Sequence, residues 1–199
     1  MALLKNSERS FYFFDCEVVS GVAGAPLPTM EEIVGIWQSY YSKDRAITPI
    51  RKNTAHLVLG DLRIDTSKDI ATLLIRLSDL QAPNAVYSDV QRGTYKEHHK
   101  SAAEGSDMGA HVLVSTVPEK GSPNVYLAMV EGVPGVTYQE VRRLLNRVLR
   151  YQYHDDPSAF EFDDIITRFK NAPGFAVGME YPARMAVACV KTGSRAMIA

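Results

Sequence analysis

Cysteine is scarce in this chain, with only Cys16 and Cys189 among 199 residues. Two cysteines form at most one bridge, which excludes a small secreted scaffold built on a disulfide framework. Both sit inside apolar runs, FFDCEVV and AVACV, where a free thiol behaves as a small buried hydrophobe. An excess of either charge is missing as well: 22 Lys and Arg stand against 23 Asp and Glu, a formal net charge of −1. The surface as a whole is therefore no polycation, and attraction to nucleic acid or anionic lipid has to come from a local patch. No apolar run approaches the ~20 residues that span a bilayer, and the N-terminal MALLKNSERS is too polar for a signal peptide. The expectation is a cytoplasmic protein that makes no membrane contact.

The short motifs of common chemistry are also lacking. There is no HExxH, HxH or CxxC, and the Gly-rich GVAGAP at 21–26 is followed by neither GK[ST] nor GxGxxG. No GxSxG elbow occurs, and neither cysteine has a polar activating neighbour in sequence. No catalytic residue and no cofactor follow from the sequence.

What is present is the pattern of an ordinary globular domain, 46% hydrophobic and 23% charged, long enough to bury a core without staples. FYFFDCEVV (11–19) is aromatic and β-branched and predicts a well-buried strand. Thr29 and Glu32 have capping-box spacing, and Ile33, Ile36, Trp37, Tyr40 and Tyr41 follow on one helical face. HLVLGDLRID and IATLLIRLSD around TSKD predict a strand pair between His56 and Leu80. Residues 81–109 are polar; a short strand near Val86–Val90 is expected, then a long exposed loop over 91–109. HVLVSTV (111–117) and VYLAMVEGV (125–133) make a second strand pair. Thr137 and Glu140 form another capping box, opening a helix with Val141, Leu144, Leu145, Val148 and Leu149 on one side. Beyond Tyr153 the pattern weakens: FDDIITRF fits a short helix, GFAVGMEY a strand, and ARMAVACV a strand or a helix.

These elements predict one α+β domain over 1–199, a mostly antiparallel sheet with two main helices, 29–42 and 137–152, packed on one face. The aliphatic ending SRAMIA predicts either a piece of a longer chain or an end docked onto the body.

Three groups of residues are candidates for chemistry. The helix at 138–152 carries Arg142, Arg143, Arg147 and Arg150 on its polar side, with Asn146 nearby and Tyr151 and Tyr153 following. Guanidinium groups pair bidentately with phosphate oxygens, and tyrosines stack on unpaired bases. Against this stand Asp155, Asp156, Glu161, Asp163 and Asp164, close enough in sequence to neutralise the ridge. A second group is Asp61 and Asp65, two carboxylates on one strand face that could hold a divalent cation, with Arg63 between them as an ion-pair partner. The third is His98, His99 and His111 with the acids around them, right in type for a metal but poorly spaced.

The stretches DLRIDTSKDIATLLIRLSD (61–79), EGSDMGAHVLVS (104–115) and YLAMVEGVPGVTYQEVRRLLNRVLR (126–150), behind the aromatic strand FYFFDCEVV, carry a resemblance. Together they resemble a loosely defined group of uncharacterised bacterial proteins found on mobile elements and near phage-defence genes. The resemblance covers about the first 150 residues and supplies no catalytic residues. It implies a prokaryotic, cytosolic setting in the conflict between host and mobile DNA.

The expected function is a non-enzymatic binding module that engages nucleic acid or a protein partner through the arginine helix. Two alternatives stay open. One is a metal-dependent nuclease or phosphoesterase using the Asp61/Asp65 face or the His98/His99/His111 group. The other is an assembly subunit, as a homo-oligomer or in a larger complex.

Overall fold

The computed structural model describes residues 8–19, 26–156, 176–180 and 187–191. The first of these segments is strand β1 (Glu8–Val19), whose alternation turns Phe14, Cys16 and Val18 into the core. The aromatic, β-branched run suits a strand flanked on both sides, and β1 is one. It pairs antiparallel with β8 (Val125–Glu131) along one edge. Its other edge is shared by β10 (Val187–Lys191) along the first half and β9 (Ala176–Glu180) along the second. The GFAVGMEY and ARMAVACV segments therefore contribute strands, while FDDIITRF lies outside the described residues.

From β8 the sheet continues through β7 (Ser106–Ser115), β4 (Ile70–Asp79), β3 (Ala55–Asp65) and β2 (Ile47–Ile50), all antiparallel. The two expected pairs, 56–80 and 111–133, appear as β3/β4 and β7/β8. The short β2 was not expected, because Pro49 cannot donate to a ladder; an edge strand tolerates it. A bulge at Gly60 shifts the β3 register between Leu59 and Asp61, so inward residues switch from Ala55, Leu57 and Leu59 to Leu62. A Cβ at Gly60 would stand 2.5 Å from Arg76 Cδ, which leaves the Arg76 stem lying across the bulge.

Helices α1 (Met30–Tyr41) and α2 (Tyr138–Asp155) cover one face of this sheet. Both capping boxes form: Thr29 and Thr137 accept from the backbone N–H of Glu32 and Glu140, whose carboxylates accept from the cap N–H in return. The hydroxyl of Tyr126, on β8, accepts from the Met30 N–H at 3.2 Å and satisfies a further orphan donor of α1. Inside, α1 buries Met30, Ile33, Val34, Trp37 and Tyr40, and α2 buries the five aliphatic residues expected. The Trp37 indole N–H donates to the Leu145 carbonyl at 3.3 Å and ties the helices together. The fold is α+β, as the sequence pattern predicts. Among the described residues no helix is long and apolar enough to cross a membrane.

Among the described residues, the face away from the helices holds one buried charge. Glu131 is 4% exposed and accepts from the His111 backbone N–H at 3.0 Å; its carboxylate also lies 2.8 Å from His111 Nδ1 and 3.4 Å from an Arg9 guanidinium nitrogen. This carboxylate satisfies the His111 N–H where the β7/β8 ladder ends, at Val112/Val130. Glu131→Ala leaves that donor without its acceptor. We expect a loss of about 2 kcal/mol in urea unfolding with the m-value unchanged, since hydrogen bonds to charged groups contribute about 1.5–3 kcal/mol. A change below about 0.5 kcal/mol, the size of an ordinary surface substitution, would show this carboxylate to be dispensable.

Candidate nucleic-acid interface

The capping box at Thr137 sets where α2 begins, and the helical period then sets which way its arginines face. At about 100° per residue, Arg142, Arg143, Arg147 and Arg150 fall within about 140° of arc, opposite the buried aliphatic stripe. All four are exposed. None makes an ion pair among the described residues. Asn146 is half-buried on the same side of the helix.

Of the acids expected to neutralise this ridge, two are described: Asp156 is the C-cap of α2, its backbone N–H donating to the Gln152 carbonyl at 2.8 Å, and Asp155 precedes it. Asp155 is turned away from the ridge: its carboxylate accepts from Arg45 at 2.6 and 3.3 Å and from the Tyr40 hydroxyl at 2.6 Å. Glu161, Asp163 and Asp164 lie outside the described residues. The hydrogen bonds from Arg45 and then Tyr40 hold the Asp155 carboxyl below its ordinary 3.8. Burial, with Asp155 next, pushes the Tyr40 phenol up to about 12. A depressed folded-state pKa contributes stability above the unfolded value, and that contribution is lost as pH falls through the folded value. Arg45→Ala should therefore move the Asp155 titration, followed by NMR, up toward 3.8. An unmoved midpoint would separate Asp155 from Arg45.

Tyr151 departs from expectation. It is half-buried, its hydroxyl donates to the Ile47 carbonyl at 3.1 Å, and its ring stacks on Tyr40 with centroids 6.2 Å apart. Arg147 packs over that ring at 5.4 Å. Tyr151 is therefore a strut that anchors α2 to β2 and orients one guanidinium, and not an open stacking platform.

The other candidate groups are distributed differently. Asp61 is paired with Arg63 at 2.8 Å, the ion pair that the alternation allows. Asp65 is held by Lys68 Nζ at 2.8 Å and by Ser67, which lower its pKa to about 2, with Lys68 first in effect. The histidines do not meet. His98 lies edge-on to Tyr87, His99 Nδ1 is 3.7 Å from Glu97, and His111 sits on β7 against Glu131. Among the described residues no three His, Cys, Asp or Glu side chains are arranged to hold a metal ion.

About half of the loop expected over 91–109 is strand, at 94–98 and from Ser106 on, and the rest is turn or irregular. Strands β5 (Ala85–Asp89) and β6 (Thr94–His98) form a separate two-stranded ribbon, and β7 begins at Ser106. The ribbon is exposed on both faces, as expected of the loop. Asp89 accepts from the N–H groups of Gln91 and Arg92, and Gly93 takes a φ of 65° to close the turn.

The fold and this surface define an α+β domain that displays an arginine-faced helix on the outside of a one-sided helix layer. No family model matches the chain, and no curated protein or solved structure is similar to it.

Proposed function

We propose that this chain is a non-enzymatic nucleic-acid-binding module, and that the outward face of α2 is its primary contact. One observation carries the reading: four exposed arginines on one arc without an ion pair among the described residues, while Asp155 is committed to Arg45 and Tyr40. Such a ridge offers its charge to phosphate, and the sequence-independent part of nucleic-acid affinity comes from phosphate contacts. The resemblance to proteins of mobile elements and phage defence suits the same reading and supports a cytoplasmic, prokaryotic setting.

The test is the salt dependence of binding to a labelled DNA duplex. Three phosphate contacts give a log–log slope of about −2 to −3 on a duplex. A salt-independent affinity would overturn the reading, and a stable complex with a host protein that tolerates loss of the arginines would favour the assembly subunit instead.

A further inference from the structure

We infer that the 85–98 ribbon is a second nucleic-acid contact, shaped to enter the major groove of duplex DNA; this rests on the nucleic-acid reading of α2. A two-stranded hairpin standing alone is marginally stable in water, so a bare one needs support at its base. Here the base is laced by polar bonds: the Asn84 side chain donates to Glu97 at 2.6 Å and accepts from the Lys100 N–H at 3.3 Å, and Lys100 Nζ donates to the Leu80 carbonyl. Leu80 in turn donates to the Thr54 carbonyl at 2.9 Å. The arm is held in place from the sheet while both its faces stay in solvent, with Tyr87 65% and Tyr95 75% exposed.

The residues on the arm select the occupant. Alternation and register place Tyr87 opposite Lys96 and put His98 on the same face. Arg92 stands at the tip, its side chain 83% exposed. The two carboxylates of the arm are already used, Asp89 by the turn N–H groups and Arg92, and Glu97 by Asn84 and His99. Lys96 makes no ion pair among the described residues. This face sets the Lys96 ammonium beside the Tyr87 ring, a cation and a hydrogen-bonding aromatic group suited to phosphate and base edges, while Val86 and Tyr95 fall on the opposite face. Strands of five residues reach about 17 Å, and a major groove about 12 Å wide admits a two-stranded ribbon.

Position joins the arm to the ridge. It springs from the ends of β4 and β7, at Asp79 and Ser106. Two residues before the α2 cap, Gly135 lies against the paired Leu77 and Met108 at that same end: a Cβ there would stand 3.3 Å from Leu77 Cδ2 and 3.2 Å from Met108 Sδ. The start of α2 thus lies beside the root of the arm, and the arginine ridge begins about 7 Å further along the helix at Arg142 and spans about 12 Å to Arg150.

Fluorescence anisotropy with the full chain tests the inference. The probes are a labelled mixed-sequence DNA duplex, its single strand, and the same duplex with neutral sugars on cytosine C5 filling the major groove. Binding should favour the plain duplex over both other probes by at least ~10-fold, and Tyr87→Ala/Arg92→Ala/Lys96→Ala should weaken it by a similar factor and erase the discrimination. Equal affinity for plain and sugar-filled duplex, preference for the single strand, or wild-type affinity in the arm variant would overturn the inference. If Arg143→Glu/Arg147→Glu/Arg150→Glu loses binding while the arm variant keeps it, the arm assignment fails alone. If the wild-type chain binds no DNA probe, the reading of α2 fails with it.

Discussion

Reversing Arg143, Arg147 and Arg150 to glutamate is expected to abolish nucleic-acid binding and to leave the fold intact. The three side chains lie on the outer arc of α2 and outside the buried core, so the reversal should keep the fold, with a modest loss of stability where Arg147 leaves the Tyr151 ring. Its effect on binding is large because attraction to phosphate becomes repulsion at three points. Truncation to alanine separates the causes: losing three contacts should flatten the salt slope by about 2.7. For the intact protein, a fourfold rise in salt should cost about 40-fold in affinity at the same slope. Wild-type affinity in the triple glutamate variant, with unchanged circular dichroism, would remove α2 from the interface. Arg147 is the least free of the set, since it packs on Tyr151, and its single substitution should also loosen the anchor to Ile47.

The second large effect is expected in the core. Trp37 is fully buried, is the chain's one tryptophan, and joins α1 to α2 through its bond to the Leu145 carbonyl. Trp37→Ala should lower the unfolding free energy by about 3–5 kcal/mol, a large part of the roughly 5–15 kcal/mol that holds a domain together. Trp37→Phe keeps most of the apolar volume and gives up only the indole bond, worth about 1 kcal/mol. The ordering Ala far worse than Phe, read by urea unfolding under far-UV circular dichroism, checks that volume dominates over the hydrogen bond. Equal losses would reverse that ranking. Because the arginine ridge is oriented by the way α2 seats on α1, the alanine variant should also bind nucleic acid less well at temperatures where it starts to unfold.

Much of this molecule was written locally in the chain. Both helices announce themselves through capping boxes and a 3.6-residue apolar period, and both begin where Thr29 and Thr137 place them. The FYFFDCEVV run carries its own burial, because a strand flanked on both sides needs apolar and β-branched residues throughout. The direction of the α2 arginines is equally local, since a helix with one buried stripe has only one outward face.

What the sequence left open depends on distant partners. The sequence predicts the first strand of the ribbon near Val86–Val90 but not its partner at 94–98, because a strand bare on both faces has no reason to alternate apolar and polar residues. Strand β2 was hidden by Pro49, whose cost vanishes only at a sheet edge. Asp155 could not be cleared as a neutraliser of the ridge until Arg45 and Tyr40, 110 and 115 residues away in sequence, were seen to hold it. Nor could Tyr151 be read as a strut before Ile47 and Tyr40 were placed against it. Periodicity and capping act within a few residues and survive in the text of the chain. Ion pairing and edge exposure are decided by which segments the folded sheet brings side by side.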